Sequence, residues 1–396
     1  MKLSKSLVLL MVTIVLACLV ISCGGGGQTV KIGLLSPQTG PISQYAPGFE
    51  DAGKIAISEL NVTHDGDFVF ELIVIDSGCD GTQAATGAQT LIDSGVSAIV
   101  GAACSGATLG AIAVAAPAGV PMISYASTGP AITTADDDGH LFRVVPSDAQ
   151  QALALVAVAT DAGVTNPAVL FMTNDYGAGL GDNFTANWPG SVCTQVGYDP
   201  TEGSYDASTL AQSVVDGGCD SVLLMSYATD GAAIMEALSS QGFTGTILGA
   251  DGVADAAFME SFTDVTAVDG LVATRPRPGT TSEVKTNFEK AYAAAGGADG
   301  AIYTGETYDA IKIAATAIVS DPDGKNLLAA VKKTGWRYVG ASGTHTFDAN
   351  GDVLGTGYEV CEFEGTDFAC RRIWTAADGL SLNIGSGGKA SGGKAD

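Results

Sequence analysis

From Gln28 onward, short apolar runs alternate with longer segments in which apolar residues recur every three or four positions. The first pattern predicts buried strands and the second amphipathic helices. Strands are predicted at 30–35, 70–76, 98–103, 121–125, 141–145, 168–172, 192–196, 221–225, 246–249 and 270–273. Helices are predicted at 49–60, 82–93, 107–116, 148–162, 207–216, 231–240, 281–295, 308–320 and 327–333. Alternation at this spacing builds right-handed βαβ crossovers and therefore parallel sheets. The chain has 396 residues, more than one core usually supports, which predicts two lobes. Three segments read as crossings between them: Val145–Asp148, where Ser147 or Asp148 can cap the next helix; the proline-rich Thr274–Pro278; and Gly351–Gly357. Lobe one then holds 28–146 plus 275–352, and lobe two 147–274 plus 353–384.

The start of the chain follows a different pattern. Lys2 and Lys5 precede an apolar stretch from Leu7 to Ile21, then Ser22 and Cys23, so residues 1–22 read as a bacterial export signal. The alternative, a permanent membrane span, lacks a basic flank after the apolar segment. Val20-Ile21-Ser22-Cys23 is similar to a lipobox, in which Cys23 becomes the first mature residue, carries lipid, and leaves 23–29 as a glycine tether. Leu19 sits one place earlier than the usual leucine, so release of an unanchored protein stays open. The tail 385–396, GSGGKASGGKAD, reads as disordered.

Composition narrows the partners. The formal charge is −25, and loss of Lys2 and Lys5 with the leader makes the exported chain more acidic still. Such a surface repels nucleic acid and anionic headgroups. Cys79, Cys104, Cys193, Cys219, Cys361 and Cys370 contain no C-x-x-C pair. In an oxidising compartment the simplest reading pairs sequence neighbours, 79–104, 193–219 and 361–370, although six cysteines allow other connectivities. Metal binding has little support, because His64, His140 and His345 lie on predicted loops and not at ligand spacing from a cysteine. The segment Asp348–Asp352 mimics the start of a calcium loop with Glu359 at the twelfth position, yet Val353 stands where such loops need glycine, so an Asn350-Gly351 turn is preferred. No nucleophile elbow, zincin or P-loop motif is present, and no catalytic residue, metal or cofactor is assigned.

The stretch 97–128 carries the candidate chemistry. Two consecutive βα units end in Cys104-Ser105-Gly106 and Ala126-Ser127-Thr128, which places hydroxyls and helix N-terminal N–H groups side by side at one sheet edge. That arrangement suits a carboxylate, and with the leader it points to an exported receptor for a small anion or zwitterion.

Along more than 300 residues the chain also resembles the periplasmic leucine/isoleucine/valine-binding proteins, type I periplasmic binding proteins that serve branched-chain amino-acid ABC transporters. The resemblance is carried, in order, by VKIGLLSPQTGPISQYAPGFEDAGKIAISELN at 30–61, GAACSGATLGAIA at 101–113, VPMISYASTGPAIT at 120–133, LFRVVPSDAQQ at 141–151, NDYGAGLG at 174–181 and FDANGDV at 347–353. It implies an α/β fold of two Rossmann-like parallel-sheet lobes joined by three crossovers, with the ligand cleft between them. It selects the Cys79–Cys104 bridge, next to Ser105. It implies that Ser105 and Thr128 hold a ligand carboxylate, that the Ala126 carbonyl, the Thr128 hydroxyl and Asp251 receive its ammonium, and that Tyr45, Tyr176, Tyr227 and Tyr303 form walls. Asp251 stands where the family commonly has glutamate, and Ala103 replaces a larger apolar residue, which leaves larger, aromatic or more polar ligands open besides branched-chain ones. The implied partners are an amino acid and a membrane permease, for a monomeric protein in the periplasm or at the cell surface. The alternative is a sensor coupled to a signalling partner.

Each site residue also has a plainer reading. Ser105 and Thr128 can be helix caps, the tyrosines ordinary core aromatics, and Asp251 a turn residue in Gly249–Gly252. The glycines at 177, 179 and 181 lack a dinucleotide-binding spacing and read as close packing at a strand–helix turn.

Overall fold

The computed structural model describes residues 27–298, 301–355, 357–365 and 367–383. The export signal, Cys23 and the tail 385–396 lie outside the described residues.

Parallel pairing organises the first lobe. Its elements β1 (Gln28–Ser36), α1 (Ala46–Thr63), β2 (Phe68–Asp76), α2 (Gly81–Asp93), β3 (Ala98–Val100), α3 (Ser105–Ala115), β4 (Met122–Ser124) and β5 (Leu141–Arg143) alternate along the chain. Among the described residues they form a five-stranded sheet in the order β2-β1-β3-β4-β5, every pair parallel. Such a sheet is covered on both faces, so Ile32 and Leu34 on one face of β1 and Gly33 and Leu35 on the other are all buried. In α1 the buried Phe49, Ala52, Ala56 and Leu60 recur every three or four residues, the spacing of one helical face.

The chain then crosses through 144–147 into the second lobe. Here follow α4 (Asp148–Asp161), β6 (Pro167–Met172), α5 (Asp175–Asn187), β7 (Thr194–Tyr198), α6 (Ala207–Gly217), β8 (Ser221–Met225), α7 (Ala228–Ser240), β9 (Thr246–Gly249) and β10 (Val272–Pro276). Ser147 caps α4 by accepting the Ala149 N–H at 3.3 Å. After β10 the chain returns to the first lobe as α8 (Glu283–Ala294), α9 (Thr304–Ser320), α10 (Leu327–Thr334) and the hairpin β11 (Trp336–Val339) and β12 (Thr344–Thr346). There α8 and α9 pack on α1. A third passage leads to β13 (Tyr358–Glu364), β14 (Asp367–Thr375) and β15 (Gly379–Leu382). The second sheet runs β15-β14-β13-β10-β9-β8-β6-β7.

Besides helix α5 and the hairpin β11–β12, which the sequence reading lacks, three features depart from it. The strands β13–β15 are antiparallel, so the second sheet is mixed. They carry charges instead of long apolar runs, and these charges pair across strands: Arg275 with Glu359 at 3.0 Å, Arg372 with Glu362 at 3.0 Å. Second, the glycines at 177, 179 and 181 lie inside α5 and not at a turn. Close packing is nevertheless what they permit, since a Cβ on Gly179 would stand 2.7 Å from Cδ of Pro130 in the other lobe. Third, His345 is not on a loop but buried on β12.

The cysteines form Cys79–Cys104, Cys193–Cys219 and Cys361–Cys370 bridges. Among the described residues the acid–thiol cluster Glu359, Cys361 and Cys370 is thereby unsuited to a metal, both sulfurs being bonded to each other. Around Asn350-Gly351 the chain makes a turn, with Gly351 at φ 80°, the Asp348 N–H donating to the Asp352 carbonyl at 2.8 Å, and Phe347 bridging Val353.

Candidate functional site

The site grows from the ends of β3 and β4, where both strands stop after three residues and small hydroxyl side chains take over. Three of these turn inward. The Thr108 and Ser127 hydroxyls lie 2.7 Å apart, Ser127 donates to the Ala102 carbonyl at 3.0 Å, and Ser124 donates to the same carbonyl at 2.8 Å. This buried network ties the two loops together and leaves Ser105 and Thr128 to face the cleft. Arg143, fully buried at the end of β5, reinforces the second loop: Nη1 donates to the Thr128 and Gly129 carbonyls at 2.9 and 3.0 Å, Nη2 to Thr133 Oγ1 at 2.7 Å, and Nε to Asp352 at 2.7 Å. A buried guanidinium needs such partners. An arginine within the apolar run LFRVV was the available sequence signal for it.

Between the lobes lies a cavity of about 50 Å³, enough for several water-sized groups. Every residue predicted for the site lines it: Tyr45, Ala103, Ser105, Ala126, Thr128, Tyr176, Tyr227, Asp251 and Tyr303. Ile42, Phe49, Gly252 and Ile302 complete the wall and escaped sequence reading, because isolated apolar residues in loops and helices carry no signal of what they face.

One end of the cavity donates. Ser105 is the first residue of α3 and does not cap it, and no side chain caps this helix. Its Oγ instead accepts the Gly129 N–H at 3.0 Å, which leaves the hydroxyl hydrogen free to donate. A helix N-terminus beside a free hydroxyl attracts an anion. The opposite end accepts. Asp251 is buried, its Oδ1 taking the Tyr176 hydroxyl at 2.9 Å and its Oδ2 the Tyr303 hydroxyl at 2.7 Å. Burial pushes its carboxyl above the ordinary value against these two bonds, and burial together with Asp251 holds Tyr176 and Tyr303 well above theirs, so both stay donors.

The walls are aromatic. Tyr176 and Tyr227 stack at 5.4 Å with planes 3° apart, and Tyr45 stacks on Phe49 at 6.4 Å. Tyr303 immediately precedes α9 in the left-handed region at φ 61°, a costly conformation for a bulky residue that its bond to Asp251 helps to hold. The cavity is thus dipolar along its length and apolar around it.

A second polar cluster lies elsewhere. Ser342, His345 and Asp309 come together, but His345 offers the same Nε2 to Ser342 at 3.0 Å and to Asp309 at 2.9 Å. A proton relay needs the two ring nitrogens on different partners. Asp309 also accepts the Ala341 and Ser342 N–H groups, so the cluster fastens the turn between β11 and β12.

Known proteins resemble this chain over most of its length. Residues 29–367 match the family model described as periplasmic binding protein. A Leu/Ile/Val-binding protein of Rhizobium johnstonii is 25% identical over 341 residues, 85% of this chain and 92% of the relative. A leucine-, isoleucine-, valine-, threonine- and alanine-binding protein of Pseudomonas aeruginosa is 24% identical over 85% of this chain and 90% of its own. The leucine-binding protein LivK of Thermotoga maritima superposes with a TM-score of 0.79 at 26% identity, covering 88% of this chain and 99% of that one. The fold is shared as well by the substrate-binding protein LivJ of Streptococcus pneumoniae in complex with isoleucine, with a TM-score of 0.76 at 22% identity over 90% and 99% of the two chains.

Proposed function

The chain belongs to the periplasmic binding proteins of the branched-chain amino-acid group, and we propose that it captures a free L-amino acid between its lobes and delivers it to an ABC permease. The observation that carries this reading is the dipolar cavity, with the Ser105 hydroxyl and the α3 N-terminus at one end and the Asp251 carboxyl at the other. An α-amino acid has the complementary charges. Its carboxylate would take the Ser105 and α3 donors, and its ammonium would lie against Asp251, the Thr128 hydroxyl and the Ala126 carbonyl. The side chain would then meet Tyr45, Phe49, Ile42 and Ile302, an apolar wall suited to aliphatic or aromatic groups.

A ligand touched by both lobes favours the arrangement in which they meet, by its differential affinity for that arrangement. The permease would read that joint surface, with the protein acting as a monomer and without enzymatic chemistry. The leader supports a workplace outside the cytoplasm, with Cys23 as anchor. Among the described residues no helix is long and apolar enough to cross a membrane. Membrane fractionation distinguishes the anchored form from a released one.

Thermal unfolding with each common amino acid, a deaminated analogue of each, several sugars and a nucleoside tests the ligand class. A cognate ligand at a hundredfold excess over its Kd adds ~2.7 kcal/mol of stability. An aliphatic or aromatic amino acid should raise the Tm and its deaminated analogue should not. A rise with sugar or nucleoside alone overturns the reading.

A further inference from the structure

One buried group near the cavity has no part in the site as described. Asp148 opens α4 immediately after the first crossing between lobes; its side chain is wholly buried, and neither carboxyl oxygen makes a hydrogen bond of full geometry, the Thr128 hydroxyl giving its charged form only weak support against burial. Capping does not explain it, because Ser147 is the cap. Its backbone N–H donates to the Thr128 carbonyl at 2.8 Å, which sets Asp148 directly behind a residue that lines the cavity. A buried carboxylate so weakly supported is costly, and the usual resolution is to take up a proton.

The charges around it support that resolution. The groups whose charge or hydroxyl bears on Asp148 come from several elements: Arg143 at the end of β5, Thr128 after β4, Asp251 after β9, Tyr176 on α5, Tyr227 before α7, Tyr303 before α9 and Tyr358 on β13. Of these Arg143 alone is cationic, and its nitrogens are already engaged by Asp352, Thr133 and the Thr128 and Gly129 carbonyls. Asp251 has a tyrosine hydroxyl on each oxygen, whereas Asp148 has none. Burial, then the Asp251 charge, pushes the Asp148 carboxyl well above its ordinary value. Two buried acids within electrostatic reach of each other, with one cation already spent, do not both ionise.

We infer that Asp148 carries a proton in the protein without ligand, held there by its burial and by the nearby charge of Asp251, and that the ammonium group of an amino-acid ligand expels that proton on binding. The inference rests on the amino-acid reading of the cavity. Before binding, the proton sits on Asp148, and Asp251 keeps its two tyrosine donors. The ligand ammonium then brings the missing positive charge against Asp251, both carboxyls ionise, and the proton passes to solvent. Binding that releases a proton tightens as pH rises and weakens on acidification. Asp148 would therefore make capture pH-dependent at a site without a histidine among its lining residues.

Calorimetry of the whole protein with L-leucine, in buffers of different ionisation enthalpy, reads the proton directly. The expected result is net proton release for the wild type, none with 4-methylpentanoic acid, which lacks the amino group, and none with leucine for Asp148→Asn. That variant is isosteric and uncharged, so it should keep its Tm, while its leucine affinity falls roughly tenfold to a hundredfold and loses its pH dependence. Leucine binding without proton release in the wild type overturns the inference and leaves the amino-acid reading intact. Unchanged proton release in Asp148→Asn overturns it too. If the wild type binds no amino acid in the thermal screen, both readings fall together.

Discussion

Asp251 shows how little of a side chain's role its local sequence conveys. In Gly249-Ala250-Asp251-Gly252 it does start a single 3-10 turn, as its neighbours suggest, yet its carboxyl is turned into the cavity and held by two tyrosines from different elements. Replacing it by asparagine keeps the shape and removes the charge opposite the ligand ammonium. Asp251→Asn should cost on the order of 2–5 kcal/mol of amino-acid affinity, roughly thirtyfold to several thousandfold, read by titration calorimetry. A deaminated analogue, bound weakly by the wild type, should be indifferent to the change. Equal amino-acid affinity in variant and wild type would return Asp251 to a turn residue.

Ser105 depends on its element as much as on its own chemistry. It starts α3, and the residue before it, Cys104, is bridged to Cys79 in the loop before α2. The two helices cross so closely that a Cβ on Gly110 would stand 2.1 Å from the Gly81 carbonyl oxygen, so glycine is required there. Crossing and disulfide together fix the helix end that faces the cavity. Replacing both Cys79 and Cys104 by serine should lower stability by ~2–5 kcal/mol in urea unfolding. Amino-acid affinity should fall as well, measured where the variant is still folded. Retention of full affinity would show that the bridge stabilises the lobe without positioning the site.

Charge acts over the entire protein. At −25 the folded chain repels itself, and several acids are buried besides. Burial raises Asp230 to about 6, and raises Asp148, Asp251 and Asp255 from their ordinary value. A group raised in the fold binds its proton more tightly than in the unfolded chain, so it favours the fold at low pH and loses that contribution as pH rises through the folded value. Asp76 and Asp220, lowered by hydrogen bonds that outweigh their burial, act oppositely and lose theirs only as pH falls below the ordinary carboxylate range. The Tm without added ligand should therefore rise as pH falls from neutrality through about 6 and drop again in stronger acid. A Tm that declines steadily from neutrality downward would show that the lowered acids dominate.

The alternation of apolar runs and amphipathic segments sufficed to place the parallel strands and most of their helices, because a parallel strand covered on both faces must be apolar throughout and its helix must bury one stripe; it missed α5, whose glycines at 177, 179 and 181 thin that stripe. It did not disclose β13–β15, whose glutamates and arginines interrupt the apolar runs and find their partners across neighbouring strands and on α4. Resemblance named the cavity residues, since their types and order recur in the segments quoted. The partnership between them was another matter. That Tyr176 and Tyr303 converge on one carboxyl, that Arg143 spends its donors on the Thr128 loop, and that Asp148 lies buried behind Thr128 without a full hydrogen bond are relations between residues from 10 to 75 positions apart and more. Hydrogen bonds and charge interactions act over a few ångströms of space, and folding alone sets which distant residues come within that reach.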